Sequence, residues 1–137
     1  HYYQTLKHRF DMPISVTFAE NGKYLIAVDA INSDIVLAHK NHEQTFEVVK
    51  VLSKAEHGIE GLNKVTLSRS ESAILTFSEQ SHRIDEFQIN EASLKHSRKL
   101  RPSELNSATA LEFLDATHAV STWAKSDAIA VFKLITE

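Results

Sequence analysis

Apolar and polar residues alternate along this chain in short runs, and the runs recur in a fixed order. Residues 14–20 place Ile14, Val16 and Phe18 on one face of an extended segment and Ser15, Thr17 and Ala19 on the other. A period of two is the pattern of a β-strand. Glu20-Asn21-Gly22-Lys23 follows. Asn-Gly between strand-like runs is a strong hairpin signal, because both central residues of a type I′ turn need positive φ. A second run over 24–29, a loop at 30–33, a third run over 34–39, the polar turn Lys40-Asn41-His42-Glu43 and a fourth run over 45–52 complete the unit. Four antiparallel strands in a meander are predicted.

The same grammar returns twice. Runs at 64–68, 73–78, 83–89 and 94–100 form a second unit, and runs at 110–114, 119–124 and 128–135 form a third that lacks its fourth strand. Val16-Thr17-Phe18, Val65-Thr66-Leu67 and Leu111-Glu112-Phe113 occupy one position of the repeat, and Ile35, Ile84 and Ala130 a later one. A period of about 50 residues marks an array of supersecondary units, each too small to bury its apolar faces alone. The expected organisation is a single domain over 1–137, with units at 14–53 and 63–101 and a partial unit at 110–135. In the second unit Ile84, Phe87 and Ile89 break strict alternation, which predicts a bulge in that strand. Leu6-Lys7-His8 matches Leu94-Lys95-His96, so residues 3–10 are expected to be the outer strand of a neighbouring or last unit. Residues 54–62 and 103–107 each have room for a helical turn. An amphipathic helix bundle is the competing fold, and the β-branched runs and hairpin turns count against it.

Four-stranded units of this size resemble β-propeller blades. The phrase from Ile14 to Asp29 resembles a blade opening in the WD40-like and lactonase-like (YVTN) superfamily, where an inner strand, an acidic-Gly-Lys hairpin and a second apolar strand recur. The resemblance covers nearly the whole chain. It implies an all-β fold of about three four-stranded antiparallel blades, an incomplete propeller or part of one with about six or seven blades. The chain departs from WD40 repeats in having no Gly-His pair and no Trp-Asp pair, Trp123 being followed by Ala124. It departs from lactonases in having no recognisable acidic set for a metal or a general base. Closed propellers have about 4 to 8 blades, so three leave two apolar end faces to be covered. The expected cover is a protein partner, a second copy, or the rest of a longer parent protein, since the chain does not begin with Met.

Composition narrows the chemistry. The 137 residues are 42% hydrophobic and 24% charged, the profile of a globular domain. Fifteen Lys and Arg against eighteen Asp and Glu give a net charge of −3, so nucleic acid is not the expected partner. With no Cys there is no disulfide, no thiol nucleophile and no thiolate zinc site. No run of about 18 apolar residues suits a bilayer, and the first residues lack a basic-then-apolar leader. The expected setting is therefore intracellular, cytoplasmic or nuclear, away from membranes. No nucleophile elbow and no glycine-rich phosphate cradle occurs, so no catalytic and no cofactor-binding residues are assigned.

Binding on propellers usually resides in loops held by the rigid blades. By the repeat alignment one face gathers residues 11–12, 54–62 and 102–107 with 32–34, 80–82 and 125–127. The candidate protein-binding residues are Asp11, Asn32, Asp34, Glu56, His57, Glu60, His82 and Asp127. His39 and His42 are the closest pair among eight His, but they flank a turn and are expected to diverge, so no metal site is assigned. His118 is expected in the hairpin turn of the third unit. Residues 95–101 are the one basic cluster and are expected to keep an outer strand soluble, with an acidic protein or RNA as their alternative contact. Trp123, Phe77 and Val28 share a position and are expected to be core. The expected function is a non-catalytic scaffold for protein–protein interaction, one portion of a larger propeller or complex. The alternative is a lactonase-like metal-dependent hydrolase. Carbohydrate binding would need exposed aromatics in equivalent loops, and these loops have none.

Overall fold

A computed structural model of the chain describes residues 4–67, 72–81, 83–102, 110–115, 117–122 and 129–137. The first sheet is a meander of β1 (Pro13–Ala19), β2 (Tyr24–Asp29), β3 (Asp34–Lys40) and β4 (Phe46–Leu52), each strand antiparallel to the next. Val16 pairs with Ala27, Ile26 with Leu37 and Val36 with Val51. The β1–β2 turn keeps the positive φ predicted at Asn21 and Gly22 and adds a third at Glu20. Glu20, Asn21 and Gly22 all take positive φ (50°, 55° and 83°), and Lys23 N–H donates to the Glu20 carbonyl at 3.1 Å.

A short helical turn, α1 (Lys54–His57), leads into the second blade: β5 (Leu62–Leu67), β6 (Ala73–Ser78), β7 (Arg83–Asn90) and β8 (Ser93–Pro102). The third blade has β9 (Ala110–Phe113), β10 (His118–Thr122) and β11 (Ile129–Thr136). These seven strands form one sheet in the order β5-β6-β7-β8-β11-β10-β9. The join is made by the overlong β8. Ser93 to Leu100 pair with β7, while Leu100, Arg101 and Pro102 pair on the other side with Thr136, Ile135 and Leu134 of β11. Among the described residues no fourth strand of the third blade borders β11, and the end of β8 pairs with part of its edge.

Two apolar layers hold the blades together. Ile26, Val28, Ile35 and Leu37 of the first blade pack on Ile74 and Phe87 of the second. Leu75, Phe77, Ile84 and Leu100 pack on Ala119 and Leu134 of the third. Both faces of the second blade are therefore buried, and Ile84 and Phe87 belong to opposite layers. That explains the broken alternation of β7. The register does shift between Glu86 and Phe87, but the additional residue is Ser97 of β8, between the partners His96 and Arg98. The bulge expected in the third strand thus lies on its neighbour.

Residues 4–10 form no strand within this chain. The Gln4 side chain lies on the edge of β4 instead, donating to the Phe46 carbonyl at 2.6 Å and accepting from Phe46 N–H at 2.8 Å. At Leu134 to Thr136 the partner of β11 is the end of β8. His118 opens β10 rather than sitting in the turn before it. Residues 103–107 and Trp123 lie outside the described residues.

Candidate functional site

The face expected from the repeat is assembled by one device used twice. Asp29 ends β2 and is 1% exposed. One of its carboxylate oxygens accepts the N–H groups of Asp11 (2.7 Å) and Met12 (3.3 Å), and the other those of Ile31 (3.0 Å) and Asn32 (3.2 Å). Burial works to raise the Asp29 pKa, but the four amides together hold it below the ordinary carboxylate value. At the equivalent end of β6, the Ser78 hydroxyl donates to the Glu60 carbonyl. Ser81 adds a second bond to that carbonyl at 3.3 Å, and its own N–H donates to Ser78 Oγ at 3.2 Å. In both blades, then, a polar side chain at the end of the second strand ties down the segment that precedes the first strand.

Between these anchors the loops lock together. Ser33, buried and left-handed (φ 55°), accepts Gly61 N–H on its hydroxyl at 3.0 Å and a bond from His57 Nε2 on its carbonyl at 2.6 Å. His57 Nδ1 accepts Ile59 N–H at 2.9 Å, and Ile59 is sunk in the core between the first two blades. Gly61 sits at φ 68°, where an added Cβ would lie 2.7 Å from the Cβ and Oε1 of Gln80. Gly61→Ala is accordingly expected to cost about 1–3 kcal/mol through strained backbone and overpacking. Urea unfolding measures it, and a loss below a few tenths would show that these loops are not in contact.

Asp11 and Asn32 are hydrogen-bonded to one another. Burial and the Asp29 carboxylate push the Asp34 pKa up, with His8 and His57 opposing. Glu56 and Glu60 belong to the same loop, but each turns to a lysine, Glu56 to Lys50 at 3.1 Å and Glu60 to Lys54 at 2.7 Å. Those partners hold both carboxyls below their ordinary value. His82 and Asp127 lie outside the described residues. Sequence reasoning placed Ser33 and Gly61 in the loops of this face without singling them out, and missed Asp29 and Ser78. Superposing the repeats carries the signal, since Asp29 and Ser78 follow the equivalent residues Val28 and Phe77.

The basic run behaves differently from a solvated patch. His96 Nε2 lies 2.7 Å from Asp85, Arg98 grips Glu86, and Lys99 pairs with Glu137 at 3.2 Å. His39 lays its ring against Tyr24, its partner across the β2–β3 pair, at 5.1 Å, while His42 is exposed in the turn. Among the described residues no three His, Asp or Glu side chains gather as a metal site. No helix there is long and apolar enough to cross a membrane.

Comparison with solved structures matches this arrangement of sheets to known proteins. A candidate 6-phosphogluconolactonase from Bacteroides uniformis superposes with a TM-score of 0.64 at 17% identity, over 90% of this chain and 39% of that one. The β-propeller domain of Cps50 (Swd1) from Myceliophteria thermophila superposes at 0.61 and 13% identity, over 89% and 40%. The fold is that of a β-propeller. A second candidate 6-phosphogluconolactonase, from Bacteroides fragilis, gives 0.58 at 19% identity over 95% and 42%. This propeller chain thus spans 39–42% of the length of those structures. Neither a protein-family model nor a curated protein sequence matches it.

Proposed function

We propose that the chain is a non-catalytic propeller scaffold that binds another protein and forms one portion of a larger propeller or complex, completed by a protein partner or a second copy. The open face of the first blade carries this reading. Ile14, Val16 and Phe18 stand on one side of β1 at 50%, 57% and 52% exposure, while the opposite side of the same sheet is packed core. Leu6, Phe10, Ile14, Val16, Leu25 and Ala27 line an apolar hollow of about 420 Å³ there. Contiguous exposed apolar surface of this kind marks an interaction site. At the other end Ile129 and Val131 of β11 are 71% and 59% exposed. The loop face of Asp11, Asn32, Asp34, Glu56, His57 and Glu60, extended by repeat alignment to His82 and Asp127, would add polar specificity.

Light scattering tests the completion. The chain is expected at twice its own mass or more, and Val16→Lys with Phe18→Lys is expected to return it to a monomer with an unchanged circular dichroism spectrum. A stable, well-dispersed wild-type monomer would overturn completion by a second copy. The second reading, a lactonase-like metal-dependent hydrolase, draws on the likeness to the two Bacteroides structures. It needs carboxylates and His converging on a divalent ion. Melting the same preparation with and without divalent ions separates the two, because a raised melting temperature favours the hydrolase and a constant one the scaffold.

A further inference from the structure

The titratable side chain of His57 joins two pieces of the loop face, residues 53–61 and the β2–β3 turn. A backbone N–H can only donate, so the Ile59 bond to Nδ1 leaves that nitrogen without a proton. The single ring proton sits on Nε2 and is donated to the Ser33 carbonyl. We propose that neutral His57 is the latch that fixes residues 53–61 against the β2–β3 turn, and that its protonation releases this loop and loosens the protein-binding face. The consequence for binding rests on the function proposed above, whereas the latch itself does not.

A second ring proton would point at the Ile59 N–H, donor against donor. Ile59 is 1% exposed, so water does not replace the lost acceptor while the loop stays closed. The loop must open to relieve the conflict. The charged groups around the ring come from β3, β7, β4 and the loop itself. Asp34 at the start of β3 and Asp85 of β7 favour the cation, and Arg83 of β7 opposes it. On the loop itself Lys54 and Glu60 pair with one another, and Glu56 pairs with Lys50 of β4. Burial outweighs the favourable neighbours and holds the imidazole below its ordinary 6.5. A base with a lowered folded pKa binds fewer protons folded than unfolded, so its stabilising contribution is complete above 6.5 and is lost as pH falls below that value.

The test is nuclear magnetic resonance on the ¹⁵N-labelled chain and needs no partner. Near neutral pH the ring nitrogens should report a proton on Nε2 alone. As the pH falls, the ring should titrate with a midpoint below 6.5. The Ile59 and Gly61 amides should shift with the same midpoint and exchange about tenfold faster after correction for intrinsic rates, the loss of roughly one hydrogen bond. His57→Asn keeps an acceptor where Nδ1 stood but does not titrate, and should abolish both responses. Amides that ignore the ring titration, or that titrate equally in His57→Asn, overturn the latch. A latch that titrates as described in a chain that captures no protein near neutral pH upholds the latch and overturns the binding-face reading alone.

Discussion

Replacing Phe87 with alanine is expected to lower the free energy of unfolding by about 3–5 kcal/mol. Phe87 is fully buried on β7, faces Ile74 across the β6–β7 pair and meets the His96 ring edge-on at 5.2 Å. It belongs to the layer where the first and second sheets meet, with Ile26, Val28, Ile35 and Leu37 from across the gap. Those side chains project from separate, well-paired sheets, which limits how far the site can collapse into the vacated space. With a urea slope of about 1–3 kcal/mol per molar, the midpoint should fall by about 2 M. Phe18→Ala is the internal control. Phe18 is 52% exposed on the open side of β1, and its truncation should cost about 1 kcal/mol or less in the isolated chain. Equal losses at Phe87 and Phe18 would mean that the first two blades do not pack together in solution.

Local pattern made the strands legible. The alternation of Ile14, Val16 and Phe18, the Asn21-Gly22 turn and the repeat offset place β1 to β7 within a residue or two of where they fold. What each strand meets across the blade gap was not legible, because period two specifies two faces but not their neighbours. Ile84 and Phe87 looked like a faulty strand, yet each is buried in its own layer. The join of β8 to β11 rests on pairing between strands far apart in sequence, and no turn residue encodes it. On the loop face Asp11, Asn32 and His57 could be chosen because they lie in predicted loops. Asp29 and Ser78 were overlooked because they end strands, where polarity reads as exposure until the anchored amides and carbonyls are seen.

The second strand-borne acid that polarity alone does not reveal is in β7. Asp85 is fully buried within β7. It receives Arg83 Nε and Nη2, both at 2.9 Å, with His96 Nε2 at 2.7 Å from one of its oxygens. Arg83 and Asp85 are two residues apart and so project from the same face of the strand, which lets the guanidinium fork meet both carboxylate oxygens. A carboxylate removed from water is tolerated only with such partners. Arg83→Met is therefore expected to cost about 3–5 kcal/mol, because it takes the guanidinium from a buried carboxylate and leaves it with the His96 ring. Most of that cost should vanish when the charge goes too. Arg83→Met with Asp85→Leu is expected to recover all but about 1 kcal/mol, since apolar replacement of a buried pair is commonly near neutral. Chemical denaturation of the two single variants and the double closes the cycle. Additive losses would show that Arg83 and Asp85 act independently. A double variant more stable than Arg83→Met alone would assign the cost to the buried carboxylate left without its guanidinium.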